Sequence, residues 1–152
     1  MRKPRRHLKI EHFLPHRPPM LMECKTPYID ADSVETHFDI SADSIFTTKS
    51  GCFSEAGLIE NAAQACSAIT GQDFFEDDDL EGNSNKVIGY ISAIKKVVIH
   101  FLPKVGDTLI TKASLVSRYD TDEMSICTIE ASSFTNGDLV VNCTLNFLIH
   151  TV

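Results

Sequence analysis

The sequence lacks the long apolar runs that would place it in a membrane. No run approaches the roughly 20 apolar residues that span a bilayer, and the basic, polar start of the chain lacks the apolar centre of a secretory signal. We therefore expect a cytoplasmic protein that does not act at a membrane. Internal repeats and low-complexity linkers are also missing, so residues 1–152 are expected to form a single domain.

Cysteine is present, but not in a pattern that builds a framework. The five cysteines are odd in number and no pair has the CxxC spacing, which argues against a disulfide scaffold and against a zinc site. Cys66, Cys127 and Cys143 lie in apolar segments and are predicted to be small buried hydrophobic residues. Neither a metal nor another cofactor is expected.

Basic charge is scarce outside the amino-terminal segment. Residues 1–25 hold seven Lys and Arg against two Glu, the remainder holds seven basic against nineteen acidic residues, and the formal net charge is −7. Because duplex binding requires many phosphate contacts, this acidic body argues against nucleic acid as a partner. Residues 1–13 are expected to be a basic terminal segment, solvated or folded as a short helix.

One segment has the pattern of a long helix. From Ser54 to Gly71 the apolar residues recur with the period of one helical face, Ser54 is suited to cap the first turn, and Gly71 is suited to end the helix. The residues on this apolar face of the helix are Leu58, Ala62, Ala65, Cys66 and Ile69. The acidic segment that follows, residues 73–86, is predicted to be a loop.

The rest of the chain has the alternation of strands. Strands are predicted at residues 20–30, 33–40 and 86–101 and in three further segments from residue 108 onward, with Asn136-Gly137 as a two-residue hairpin turn. One helix with an antiparallel sheet of five to six strands is an α+β arrangement. With a single long helix, we expect the sheet to wrap around it.

Three stretches together resemble one family. They are "LPHRPPMLM" (Leu14–Met22), "LIENAAQA" (Leu58–Ala65) and "IGYISAIKKVVIHFLPKVGDTL" (Ile88–Leu109). In this order they are similar to motifs of the hot-dog fold 3-hydroxyacyl-[acyl-carrier-protein] dehydratases of the FabZ-like type, and they span nearly the whole chain. The resemblance implies a hot-dog fold in which the sheet surrounds a central helix.

The resemblance also implies a substrate and a partner. The substrate would be an acyl thioester on the phosphopantetheine arm of an acyl carrier protein, with the acyl chain in a tunnel beside the helix. Two hot-dog subunits would pair their sheets edge to edge as a homodimer or a heterodimer, and each site would take residues from both. Arg17, Lys95 and Lys96 are candidates to contact the acidic surface of the carrier.

Glu60 matches the catalytic carboxylate of the family, and Gln64 follows one helical turn later on the same side. Removing water from a 3-hydroxyacyl thioester requires a base for the C2 proton and an acid for the departing hydroxyl. Backbone N–H groups near Glu55, Ala56 and Gly57, at the helix start, are expected to stabilise the thioester oxygen. The predicted substrate-binding residues are these three, together with Gln64 and the aromatic residues Phe46 and Phe53.

The sequence departs from the family at the catalytic base. The family's histidine stands in a "GHFPG" motif about fourteen residues before the carboxylate, where this chain has "SIFTTKSGCF" without a histidine. Another histidine could replace it. His16 is the best candidate, and His37 and His100 are weaker ones. Alternatively, a second hot-dog subunit could supply the histidine, or the chain could have lost dehydration.

The leading hypothesis is a (3R)-hydroxyacyl-ACP dehydratase-like protein of fatty-acid or polyene lipid biosynthesis. Under this hypothesis Glu60 is the main catalytic residue, and the chain acts alone or as one subunit of a heterodimer. The alternatives are an acyl-thioesterase and a non-catalytic acyl- or carrier-binding hot-dog protein.

Overall fold

Six strands and one α-helix make up the part of the chain that the computed structural model describes, namely residue 6, residues 9–72 and residues 87–151. A short 3-10 turn, Ile10–His12, precedes them. In chain order they are β1 (Lys25–Ile29), β2 (Ser33–Asp39), α1 (Glu55–Gly71), β3 (Val87–Ile99), β4 (Thr108–Asp120), β5 (Met124–Thr135) and β6 (Asp138–Thr151). No helix among the described residues is long and apolar enough to cross a membrane.

The strands form one sheet in the order β1-β2-β4-β5-β6-β3, and every neighbouring pair is antiparallel. The helix connects β2 to β3, which lies at the far edge of the sheet, so the connection crosses the sheet. On its way α1 packs against β2 through β6. The predicted α+β arrangement, with one helix packed on an antiparallel sheet, is confirmed.

The helix begins where the sequence predicted. The Ser54 hydroxyl accepts a hydrogen bond from the Gly57 N–H at 3.2 Å, which satisfies one of the N–H groups that a helix start leaves without an intrahelical acceptor. The predicted end is displaced by one residue. Gly71 is the last helical residue and Gln72 is the C-cap in a right-handed conformation, so the glycine does not serve as a left-handed stop.

The core lies between α1 and the face of the sheet on which the helix packs. The predicted helix face is buried, and Ala62, Ala65 and Cys66 pack in one cluster with Ile129 and Leu145 of the central strands. Small side chains let the helix approach the sheet closely, because interiors pack at the density of organic crystals. The result is a core whose helix side is formed largely by alanine.

The three cysteines predicted to be buried are buried. Burial raises the pKa of the Cys66 thiol well above its usual value and that of Cys143 to about 11. The Cys66 and Cys143 thiols are therefore neutral packing residues, since the thiolate is the reactive form.

The β5–β6 hairpin turns as predicted at Asn136-Gly137, where both residues have positive φ, 50° and 83°. That is the geometry of a type I′ turn, which asparagine and glycine tolerate best. The prediction for the first strand was wrong at its start: β1 begins at Lys25, not at residue 20. In the preceding segment the Met20 carbonyl and both backbone groups of Met22 bond to side chains of α1 instead, as described below.

Three other boundaries complete the comparison with the sequence. β2 and β3 fall within their predicted ranges, 33–40 and 86–101. The terminal segment 1–13 shows a 3-10 turn at Ile10–His12, and its other predicted features lie largely outside the described residues. The predicted acidic loop, residues 73–86, also lies outside them.

Candidate active site

A cleft of about 200 Å³ lies between α1 and the edge strand β3. The helix contributes residues one turn apart, the sheet contributes three consecutive residues of β3 and one of β6, and the amino-terminal segment contributes a histidine. The lining residues are Glu60, Ala63, Gln64, Ser67, Gly89, Tyr90, Ile91, Phe147 and His16. Polar groups and apolar side chains thus share one small site.

Glu60 occupies the helix wall of this cleft. Its side chain is 25% exposed, and its Oε1 accepts a hydrogen bond of 2.7 Å from Gln64 Nε2. The same oxygen lies 3.8 Å from His16 Nε2. The structure therefore brings together the two residues that the sequence nominated as catalytic, although they are 44 positions apart in the chain.

Gln64 is buried and uses its amide on the protein itself. Its Oε1 accepts from the Met22 N–H at 2.8 Å, and its Nε2 donates to the Met20 carbonyl at 2.8 Å as well as to Glu60. An amide nitrogen carries two hydrogens, so both of its donors are engaged. Gln64 lines the cleft, but its hydrogen bonds fix Glu60 and the backbone of residues 20–22.

Asn61, the residue after Glu60, extends this network on the buried side of the helix. Its Nδ2 donates to the Met22 carbonyl at 2.7 Å and to Glu23 Oε1 at 3.2 Å, while its Oδ1 accepts from the Thr111 hydroxyl at 2.7 Å. Sequence reasoning missed both Asn61 and Glu23. The available signal was a polar residue inside the otherwise apolar, alanine-rich part of the helix.

Glu23 is an acid within the core. It is 3% exposed, and burial raises its pKa well above the ordinary value of 4.5. The nearby Thr36 hydroxyl, which does not meet hydrogen-bond geometry, lowers the pKa by a smaller amount. Its second oxygen, Oε2, is buried without a hydrogen-bond partner among the described residues. A buried carboxyl group in such surroundings favours the neutral form.

His16 lies in a segment whose backbone is fixed by hydrogen bonds from the Arg17 side chain. The Arg17 guanidinium donates from Nη1 to the carbonyls of Leu14 at 2.9 Å and His16 at 2.8 Å. The imidazole presents Nε2 to Glu60, and its Nδ1 is buried with no hydrogen-bond partner in the described chain. Arg17 was a candidate contact for a carrier protein, and these two bonds direct it toward its own segment.

The other candidate histidines lie elsewhere. His37 on β2 pairs with Glu35 of the same strand at 2.9 Å, and His100 is exposed just after β3. Neither lines the cleft. Of the three histidines weighed from the sequence, the structure brings only His16 to Glu60. Lys95 and Lys96, the remaining carrier-contact candidates, are exposed on β3.

The predicted groups at the helix start form a separate cluster. Gly57 is buried against Phe46 and Phe53, and a Cβ at this position would lie 2.7 Å from atoms of both. Phe53 is fully buried and its ring meets that of Phe46 at a centroid distance of 6.4 Å. Glu55 and Ala56 are exposed. None of these five residues lines the cleft; the two aromatics instead form the packing that requires glycine at 57.

Solved structures with this fold include dehydratases and thioesterases. The dehydratase heterocomplex ApeI:P from Xenorhabdus doucetiae has a chain that is 19% identical, with a TM-score of 0.75 over 97% of this chain and 93% of that one. Cj0977, a sigma28-regulated virulence protein from Campylobacter jejuni, is 12% identical, with a TM-score of 0.64 over 91% and 81%. A hypothetical thioesterase with coenzyme A from Streptococcus pneumoniae is 11% identical, with a TM-score of 0.60 over 83% and 84%.

The sequence itself carries the assignment to a family. No curated protein matches it significantly. The family model described as ApeP-like, ApeP dehydratase, matches residues 8–149. With the six-stranded sheet around one helix, this confirms the predicted hot-dog fold and dehydratase resemblance. The chain belongs to the ApeP-like family of dehydratases.

Proposed function

We propose that this protein removes water from (3R)-3-hydroxyacyl thioesters carried on the phosphopantetheine arm of an acyl carrier protein, in fatty-acid or polyene lipid biosynthesis. The observation that carries the proposal is the placement of Glu60 and His16 3.8 Å apart on the wall of one cleft. Apolar residues Phe147 and Ile91 line the same cleft and suit an acyl chain.

A closely spaced acid and base fit this elimination. The C2 hydrogen and the C3 hydroxyl sit on adjacent carbons, so two groups a few ångströms apart reach both. In the proposed reaction His16 Nε2 takes the C2 proton, Glu60 in its protonated form gives a proton to the departing hydroxyl, and the C2–C3 double bond forms as water leaves. Proton transfer from His16 to Glu60 then restores the pair.

Gln64 contributes by positioning. Its N–H holds Glu60 Oε1, and its remaining amide contacts hold the segment that continues from His16. A single buried side chain thus sets the distance between the two proposed catalytic groups.

A second hot-dog subunit is proposed to complete the site along β3. This strand is an edge of the sheet, and an edge presents N–H and C=O groups that another strand can pair with. Its large exposed apolar residues, which a partner would cover, are Ile88, Tyr90, Ile91, Ile94 and Val98. The ApeI:P heterocomplex is the precedent for assembly with a different subunit. Because this chain lacks the "GHFPG" histidine, a histidine-bearing partner is the rival source of the catalytic base, which the His16→Ala experiment below distinguishes from His16.

The decisive experiment is mass spectrometry of the product formed from a 3-hydroxyacyl carrier substrate, with the protein alone and with a candidate partner. The expected product is the 2-enoyl thioester, lighter by one water. Glu60→Gln is expected to lower kcat by about 100-fold or more, the usual range for a general acid. Glu35→Gln is the matched control, because Glu35 also faces a histidine but lies on β2 away from the cleft. Full turnover by Glu60→Gln would contradict the proposal.

His16→Ala separates the two sources of the base, with His37→Ala as its control. If His16 is the base, the variant loses about 100-fold in kcat in every assembly. If the heterocomplex keeps its activity with His16→Ala, the partner's histidine is the base and the role proposed for His16 is wrong. Free thiol measured in the same incubations tests the thioesterase alternative: thiol release without enoyl product would favour it.

A further inference from the structure

Gly89 leaves one wall of the cleft without a side chain. In the β3–β6 pairing, Gly89 lies opposite Ile149 and Ile91 lies opposite Phe147. Ile149 and Phe147 are buried on the side of the sheet that packs on the helix. Because side chains alternate between the faces of a strand, a side chain at position 89 would project toward α1 and into the cleft.

The backbone does not require glycine at this position. Gly89 does not have the left-handed φ found at Gly51, Gly106 and Gly137. A Cβ built on it would meet Ile149 Cγ1 at 3.6 Å and the Leu148 carbonyl at 4.0 Å, which are ordinary contacts. Glycine inside a strand is destabilising relative to alanine. The remaining reason for glycine is the space that it leaves open.

That space faces small residues on the helix. Ala63 and Ser67, one helical turn apart, line the cleft opposite β3. Glu60 and Gln64 lie on the same helix wall, with apolar Ile91 and Phe147 on the sheet side. At about 200 Å³ the cleft is smaller than the roughly 300–1,000 Å³ of usual small-molecule sites, so it holds only part of a long acyl group. The rest of the chain needs a passage beyond the polar groups.

We propose that Gly89 is a specificity-determining residue, which sets the length of the acyl chain by leaving a passage between β3 and α1. The inference rests on the proposed function. The reacting carbons lie at Glu60 and His16, and the chain beyond them passes Gly89. A side chain at 89 narrows the passage, so it obstructs long acyl groups and spares those short enough to end before it.

The test compares two substrates in Gly89→Val and Gly89→Ala. The substrates are 3-hydroxybutyryl and 3-hydroxydodecanoyl pantetheine thioesters, assayed with the active assembly. Valine is expected to lower kcat/KM for the long substrate at least about tenfold more than for the short one, the scale of one misfitting methyl group in an apolar pocket. Alanine is expected to give a smaller change in the same direction.

Ala93→Val is the matched control. Ala93 lies on the same strand but opposite Asn146, hence on the outer face of the sheet, and its variant is expected to keep the wild-type ratio. An equal loss for both substrates in Gly89→Val, or an unchanged ratio, would overturn the inference. Unfolding curves are measured for each variant. If Gly89→Val does not fold, the substrate ratio of Gly89→Ala decides the test, because a Cβ at this position makes only ordinary contacts.

A binding measurement keeps this test separate from the proposed reaction. If the wild-type protein converts neither substrate, the dehydration proposal fails, and calorimetry with dodecyl and butyl pantetheine thioethers takes over. Gly89→Val is then expected to weaken binding of the dodecyl thioether at least about tenfold more than that of the butyl thioether. Equal affinities of the wild type and the variant for the long thioether would overturn the role of Gly89.

Discussion

Replacing Glu23 by glutamine tests how an acid is held in the core beside the proposed catalytic helix. Glu23 is 3% exposed, Asn61 satisfies one carboxyl oxygen, and the other has no hydrogen-bond partner in the described chain. Burial raises its pKa well above 4.5. The carboxyl is therefore neutral in the folded protein over a range of pH in which the unfolded chain ionises it.

The sign of the pH dependence follows from that difference. Below the ordinary pKa of 4.5 both states hold the proton, and the contribution of Glu23 to stability is fully present. As the pH rises, the unfolded chain loses the proton first, so the free energy of unfolding falls by about 1.4 kcal/mol per pH unit. The fall ends when the pH passes the folded-state pKa. Glu23→Gln has no proton to lose and lacks this slope.

Urea unfolding of the wild type and Glu23→Gln at several values between about pH 5 and pH 7 measures the effect. The difference in the free energy of unfolding is expected to shift in favour of the glutamine variant as the pH rises, by up to about 1.4 kcal/mol per pH unit. Glu130→Gln, at an exposed position of β5, is the control and should run parallel to the wild type. Parallel curves for Glu23→Gln and the wild type would refute a buried, neutral Glu23.

Two further predictions concern the packing of α1. Gln64→Ala removes three hydrogen bonds and leaves the Met22 N–H without its acceptor. The free energy of unfolding should therefore fall by about 2 kcal/mol or more, and kcat should fall with it. A free energy of unfolding from denaturant titration and a turnover that both match the wild type within error would contradict this. Gly57→Ala places a Cβ 2.7 Å from Phe46 and should lower the free energy of unfolding by about 1–3 kcal/mol. Gly89→Ala is its control, and its free energy of unfolding is expected to change by less than about 1 kcal/mol. Equal losses of unfolding free energy for the two variants in the same titration would count against the predicted clash.

The sequence predicted the elements well because periodicity is local. The apolar spacing in residues 54–71 and the alternation in the later strands record which side chains face the core. The Asn136-Gly137 turn was predicted for an equally local reason, since few residues tolerate two consecutive positive φ values. These features depend on neighbours in the chain, which the sequence displays directly.

The site was less predictable because its contacts are long-range. Gln64 lines the cleft, but its hydrogen-bond partners Met20 and Met22 lie more than 40 positions away, and no periodic pattern marks such a pair. The error at the start of β1 has the same cause, since the Met20 carbonyl and the backbone groups of Met22 bond to helix side chains rather than to a strand. The proximity of His16 to Glu60 could be proposed only through the family resemblance.

The place of β3 in the sheet has a consequence for how the protein is made. Within the described chain β3 has a single strand neighbour, β6, which follows it after two intervening strands. A nascent chain that has emerged as far as β5 already carries α1 and the amino-terminal segment, but β3 has no strand to pair with. Such late, non-local pairing slows folding and leaves an apolar strand uncovered meanwhile. One wall of the cleft is thus assembled only after β6 has left the ribosome.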